Sequence, residues 1–169
     1  MTIAVSDVFS GLITQQLAAL ISILGKANDY AKENNLTDKD LLATRLHEDM
    51  HPLSWQIQTS VELIQRGISR LTNQEPVNLV LDEPSFDKLI LRIQSIKNEL
   101  SNLNSTALNE SADVVFEIPV GPDASLPLKG KDYVLKFMLP NVYFHLTTTY
   151  DLLRMKGVPV GKRDFMGPF

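Results

Sequence analysis

The chain contains no cysteine in its 169 residues. Disulfides, thiolate metal sites and cysteine nucleophiles are therefore excluded, while the absence is compatible with a reducing compartment without proving one. It also lacks an excess of positive charge: 16 Lys and Arg face 20 Asp and Glu, a net charge of −4. Binding nucleic acid requires a basic surface to neutralise phosphates, so no nucleic-acid partner is expected. No uninterrupted apolar run approaches the ~20 residues of a bilayer span. The segment from Met1 to Asp7 has no basic region to begin a signal peptide. These absences make a cytoplasmic protein with no membrane partner the default expectation. Glycine-rich phosphate loops, nucleophile elbows and triad spacings are missing as well. Histidine is scarce, and its three copies, His47, His51 and His145, are the only residues that suggest chemistry.

What is present is an ordinary globular balance, 44% hydrophobic and 21% charged. A chain of this length forms one domain, residues 1–169, and buries roughly 70% of its unfolded surface. Apolar residues recur at helical spacing in four segments. Phe9, Ile13, Leu17, Leu20, Leu24, Ala27 and Ala31 mark a first helix from about Ser6 to Lys32, with Ser6 as N-cap and Asn34-Asn35 as stop. Thr37, followed by Asp38 and Asp40, caps a second. Its stripe of Leu42, Leu46, Met50, Leu53, Ile57, Val61, Ile64, Ile68 and Leu71 keeps phase through Pro52, which predicts one long helix kinked at Pro52 with the Glu48 carbonyl left without a helical donor. Residues 73–83 form a connection. A third helix begins at Ser85, with Phe86, Leu89, Ile93, Ile96, Leu100 and Leu103 on one face.

A polar stretch from Asn104 to Ala112 precedes an alternating run, Val114, Phe116, Ile118 and Val120, that reads as a strand confined to an edge by Pro119. Gly121-Pro122-Asp123 turns the chain, and Leu126 to Leu128 returns beside it as a hairpin. A fourth helix runs from about Lys131 to Lys156, kinked or restarted at Pro140, with Gly157 as its C-cap residue and an irregular tail from Val158 to Phe169. Four amphipathic helices bury their stripes together most simply as an all-α four-helix bundle, here with a short β-hairpin between helices 3 and 4. The long middle connections allow crossovers.

Two helical histidines at i, i+4, as His47 and His51 are predicted to be, share a face, and His145 from another helix could complete a three-histidine site for a divalent zinc, nickel or manganese ion. The alternative is that the pair is solvated or caps a helix, and that His145 is a satisfied core residue. Glu48 and Asp49 could orient an imidazole or simply meet solvent. Tyr143 and Tyr150 could reach a cleft or pack. Trp55, the sole tryptophan, faces away from its helix's stripe; it is a candidate anchor for a homodimer or a boundary residue under the tail.

The stretch from Leu139 through His145 to Arg154, the tail from Gly157 to Phe165, and Asp49-Met50-His51-Pro52-Leu53 with Gln56-Ile57-Gln58 resemble a family of uncharacterised bacterial proteins. That family is grouped with the DinB/YfiT-like four-helix bundles, and the resemblance covers essentially the whole chain. It implies the bundle fold and a metal site built from one histidine of the second helix and an i, i+4 pair of the fourth. His145 matches the first of that pair; the second position falls on Thr149, a poor metal ligand. The resemblance thus implies a degenerate metal-site cleft in a binding or stress-associated protein, open to a small-molecule ligand. The other reading is a divalent-metal enzyme of the thiol-transferase or hydrolase type using His145 with His47 and His51.

Overall fold

The computed structural model describes residues 3–75 and 85–168. The first helix, α1, is Val5–Glu33, and every residue of its expected stripe lies in the core. Its start differs slightly from the Ser6 cap expected. The Asp7 carboxylate accepts the Ala4 amide at 2.9 Å, while the Ser6 amide reaches Asn109 Oδ1 at 3.0 Å. At the other end Asn34 caps the helix and Asn35 takes a left-handed φ of 54°, a conformation that asparagine tolerates. By length and composition α1 is apolar enough to cross a bilayer. The apolar stripe responsible is interrupted by polar residues, as expected, and it is the one packed inside the bundle.

The long kinked second helix is not formed. The chain makes a short helix, α2 (Asp38–Leu42), leaves helical geometry over residues 43–52, and restarts as α3 (Leu53–Leu71). Pro52 gives no amide donor and disfavours helix at His51 before it, so the chain ends one helix and begins another. Pro52 is the N-cap of α3, in extended geometry at φ −72° and ψ 167°. Only Leu46 and Met50 had carried the phase across the break, and Leu46 is exposed. The loop closes on itself through the Leu53 amide to the Thr44 carbonyl at 2.8 Å, the Met50 amide to the His47 carbonyl at 3.1 Å, and Arg45 to the Met50 carbonyl. The Thr37 cap is present: Asp40 Oδ2 accepts the Thr37 amide at 2.7 Å. The Thr37 hydroxyl, which donates to the same oxygen at 2.6 Å, and then this amide hold the Asp40 carboxyl below its ordinary pKa.

Of the connection expected over residues 73–83, residues 76–83 lie outside the described residues. The third bundle helix, α4 (Phe86–Ser101), starts at Ser85 as predicted, where Ser85 Oγ accepts the Lys88 amide at 3.2 Å. The polar stretch beyond it contains a short helix, α5 (Ser105–Glu110), capped by Asn104. β1 (Val115–Pro119) and β2 (Ser125–Lys129) form the expected antiparallel hairpin, with Phe116 opposite Leu128 and Ile118 opposite Leu126.

The fourth bundle helix, α6, covers residues 130–155, and its treatment of Pro140 is specific. The helix widens into a π turn over Tyr133–Met138, and Pro140 falls in the first turn of the α-helical part, Leu139–Met155. The Asn141 carboxamide donates to the Phe137 carbonyl at 2.7 Å, satisfying an acceptor in this region where Pro140 has no amide to give. α1 has a matching π turn over Val8–Ile13, in which Thr14 Oγ1 donates to the Phe9 carbonyl at 3.0 Å. The tail is less irregular than expected, since α7 (Lys162–Met166) docks on α1 through Lys26 to Asp164 at 2.7 Å and Gln15 to the Met166 carbonyl at 2.7 Å.

Within the bundle, α1 packs chiefly on α4, and α3 on α6. First-on-third and second-on-fourth pairing is the crossover arrangement that long connections permit. α3 and α6 run antiparallel: Gln56 meets His145 near one end, and the Arg70 guanidinium lies 5.0 Å from the centre of the Tyr133 ring near the other. The closeness of the fold is tested by two glycines. At Gly130, where α6 leaves β2, a Cβ would strike the Ser111 backbone carbonyl, whereas at Gly25 in α1 it meets nothing. Gly130→Ala is therefore expected to lower stability by about 1–3 kcal/mol. Gly25→Ala is expected to raise it by about 0.5–1 kcal/mol, both read from urea unfolding midpoints.

Candidate functional site

The three histidines do not share one site in the way their spacing suggested. His47 and His51 both fall in the 43–52 loop, so the i, i+4 helical face on which the pair depended does not exist. His47 Nδ1 pairs with Asp49 Oδ1 at 2.6 Å, and both side chains are largely in solvent, 67% and 79% exposed. Asp49 therefore does orient an imidazole, but a solvated one. Among the described residues no group of three His, Asp or Glu side chains is placed to hold a metal ion.

His51 and His145 are nevertheless drawn together. The His51 ring stacks on Trp55 with centroids 4.0 Å apart and planes 15° apart. The indole in turn meets the His145 ring edge-on at 5.3 Å and 74°. Phe144 approaches the same imidazole edge-on at 5.2 Å. His145 itself is 8% exposed, while Trp55 and Phe144 beside it are 37% and 57% exposed. The site is thus a buried imidazole with an aromatic rim. Trp55 faces away from its own helix's stripe, as expected, and it contacts the other helix of its pair.

The polar core of the site is a chain of hydrogen bonds. Gln56 Nε2 donates to the His51 carbonyl at 3.1 Å, and Gln56 Oε1 lies 2.7 Å from His145 Nδ1. A backbone carbonyl can only accept, so it fixes which end of the carboxamide is nitrogen. The carboxamide oxygen can only accept in turn, so Nδ1 of His145 carries the hydrogen and Nε2 the lone pair. Burial pushes the His145 pKa down, and the nearby His51 lowers it further, so the imidazole is held neutral.

One turn beyond His145 on the same face of α6 is Thr149, fully buried, whose hydroxyl has no partner among the described residues. Its neighbour Thr148 bonds back to the Phe144 carbonyl at 2.8 Å, the usual resolution for a helical threonine. Tyr143 is half-buried, and its pKa is raised by that burial. It sits roughly 200° around the helix from His145 at ~100° per residue, off the site's face.

Gln56 is the residue that the pattern of single side chains missed. Its signal was available: Gln56 follows Leu53 by three and precedes Ser60 by four, so a polar group sits at core spacing inside an apolar stripe. It is 2% exposed, and a carboxamide in that position must find a partner on the facing helix.

The mostly helical bundle with one antiparallel hairpin defines this chain as a DinB-like all-α protein. It superimposes on the crystal structure of a DinB family member from Shewanella denitrificans with a TM-score of 0.87 at 28% identity, covering 97% of this chain and 92% of that one. The chain belongs to the family described as "Domain of unknown function (DUF1993)", which matches residues 7–166. No curated protein matches it.

Two measurements test the His145 network. Imidazole nitrogen shifts are expected to show the Nδ1-protonated tautomer, lost in Gln56→Leu, where the acceptor is gone. The second is linkage. The unfolded imidazole protonates near 6.5 while the folded one resists, so the unfolded state holds more protons between those two values. Stability then falls as pH drops through about 6.5 towards the folded pKa and levels off below it. The stability difference between wild type and His145→Gln should shrink over that window, and a difference independent of pH would mean the site does not hold the ring neutral.

Proposed function

We propose that the protein is a binding protein that uses His145 as a metal-free hydrogen-bond acceptor beneath an aromatic rim. The observation that carries this reading is the commitment of His145 Nδ1 to Gln56 at 2.7 Å. That bond spends one ring nitrogen, fixes the ring's orientation, and leaves a neutral imidazole whose remaining nitrogen accepts. The uncommitted hydroxyl of Thr149 supplies a second polar point on the same helical face.

The divalent metal implied by the fold family does not fit these residues. Where an α3 side chain meets His145 there is a carboxamide, and where the fourth helix would offer a second imidazole there is a threonine. One imidazole, one amide oxygen and one hydroxyl make a weak donor set for zinc, nickel or manganese, which are held by imidazole, thiolate and carboxylate. His47 is engaged with Asp49 in solvent. Trp55 serves the rim through its contacts with His51 and His145 of its own chain.

Metal content measured on untagged protein after incubation with zinc, nickel and manganese is expected to be well below one ion per chain. The double variant Gln56→His/Thr149→His should take up zinc close to one per chain, because it restores three imidazoles around one point. Stoichiometric metal in the wild type that disappears in His145→Ala would overturn the proposal. It would make the metal-dependent enzyme, with His145 and His51 or His47 as ligands, the better account.

A further inference from the structure

A second feature lies at the far end of α6, some ten to fourteen residues before His145, or roughly 15–20 Å at ~1.5 Å per residue. A cleft of about 110 Å³ opens between the first turns of α1 and α6. Ala4, Val5 and Val8 form one wall, Val134 and Leu135 the other, and Lys131 is the charged side chain in the lining. Val134 is fully buried at the base, while Leu135 is 55% exposed at the edge.

Each wall includes residues where the backbone leaves α geometry. Val8 opens the π turn of α1, and Val134 and Leu135 lie inside that of α6. A π turn holds an extra residue and widens the helix, and such turns are frequent at functional sites. An enclosed apolar cavity of ~150 Å³ accepts benzene; this cleft is somewhat smaller but open on one side. The cleft therefore suits a ring or a chain of about four to six carbons.

Charge at the mouth selects what else the occupant carries. Lys131 Nζ is 3.3 Å from Asp113 Oδ1, and the same oxygen takes Lys129 Nζ at 3.2 Å. One carboxylate cannot neutralise two ammonium groups. Asp132 is paired with Lys136 at 3.0 Å, while Asp7 accepts the Ala4 amide at 2.9 Å and keeps its own charge. Lys131 has three N–H donors and spends one on Asp113, so it can give another to an anion.

We propose that this cleft binds a small monocarboxylate, with its short alkyl or aryl end between Val8 and Val134 and its carboxylate on Lys131. The site is separate from His145 and does not depend on how that residue is used.

Calorimetric titration and amide-shift mapping of the full chain with hexanoate, hexan-1-ol and hexylammonium test the proposal. Hexanoate is expected to bind and to shift the amides of Val5, Val8, Val134 and Leu135. The alcohol should bind up to about fivefold more weakly, the worth of an exposed ion pair, and the ammonium more weakly still. Lys131→Gln should bring hexanoate to the affinity of the alcohol, and added salt should do the same in part. Leu135→Trp, placed at the exposed edge so that the fold is kept, should abolish binding, with unchanged circular dichroism as the control. Absence of hexanoate binding in the wild type, equal affinity for all three probes, or binding unaffected by Leu135→Trp would each overturn it. Shifts centred on His145 instead would overturn it while favouring the His145 reading.

Discussion

The carboxamide of Gln56 is buried between the two helices that pack most closely in the bundle, and a group with both a donor and an acceptor has to be answered on both sides there. Its donor goes to the backbone of His51 and its acceptor to the ring of His145. Leaving either unmade would cost about 1–3 kcal/mol. The two bonds tie three pieces of chain together: the end of the 43–52 loop, the first turn of α3, and the middle of α6. The placement of Trp55 between two imidazoles follows from that tie, because residue 55 adjoins one anchor and residue 51 is the other.

Proline organises both ends of this arrangement, in two different ways. At Pro52 the chain gives up its helix and uses the break to present His51 beside α3. At Pro140 it keeps the helix, with a widened turn just before the proline and a side-chain amide on a nearby carbonyl. The difference lies in what surrounds each proline. The residues just before Pro52 include Arg45, His47, Glu48 and Asp49, which gain little from burial. Those before Pro140 include Tyr133, Val134 and Met138, all in the core, and losing their helix would expose them.

The same contrast explains what could be read from the sequence. Four amphipathic stripes gave the bundle, because burying them leaves few alternatives; the Thr37 and Ser85 boundaries came from capping side chains, and the Gly157 boundary from the positive φ of 91° that glycine adopts freely. The hairpin came from alternation and a Gly-Pro-Asp turn. The second helix was misread because Leu46 and Met50 kept the period by chance, and a repeat of two residues is not enough to outweigh a proline. The shared face of His47 and His51 went with it, since that face existed only on the long helix. His145 was legible as a candidate for a hydrogen-bonded core position. Its partner was not, because the link to Gln56 spans 89 residues and depends on which helices pair, something the spacing within one helix does not contain.

The single indole of the chain also gives the molecule an optical property. Trp55 lies flat against one imidazole and edge-on to another, and a protonated imidazole is an efficient quencher of indole emission while a neutral one is much weaker. The intrinsic fluorescence of the folded protein is therefore a built-in readout of charge at the His51 and His145 rings, free of background from any second tryptophan. A ligand, proton or rearrangement that reaches this end of the bundle announces itself in the emission of the untouched protein, without a label.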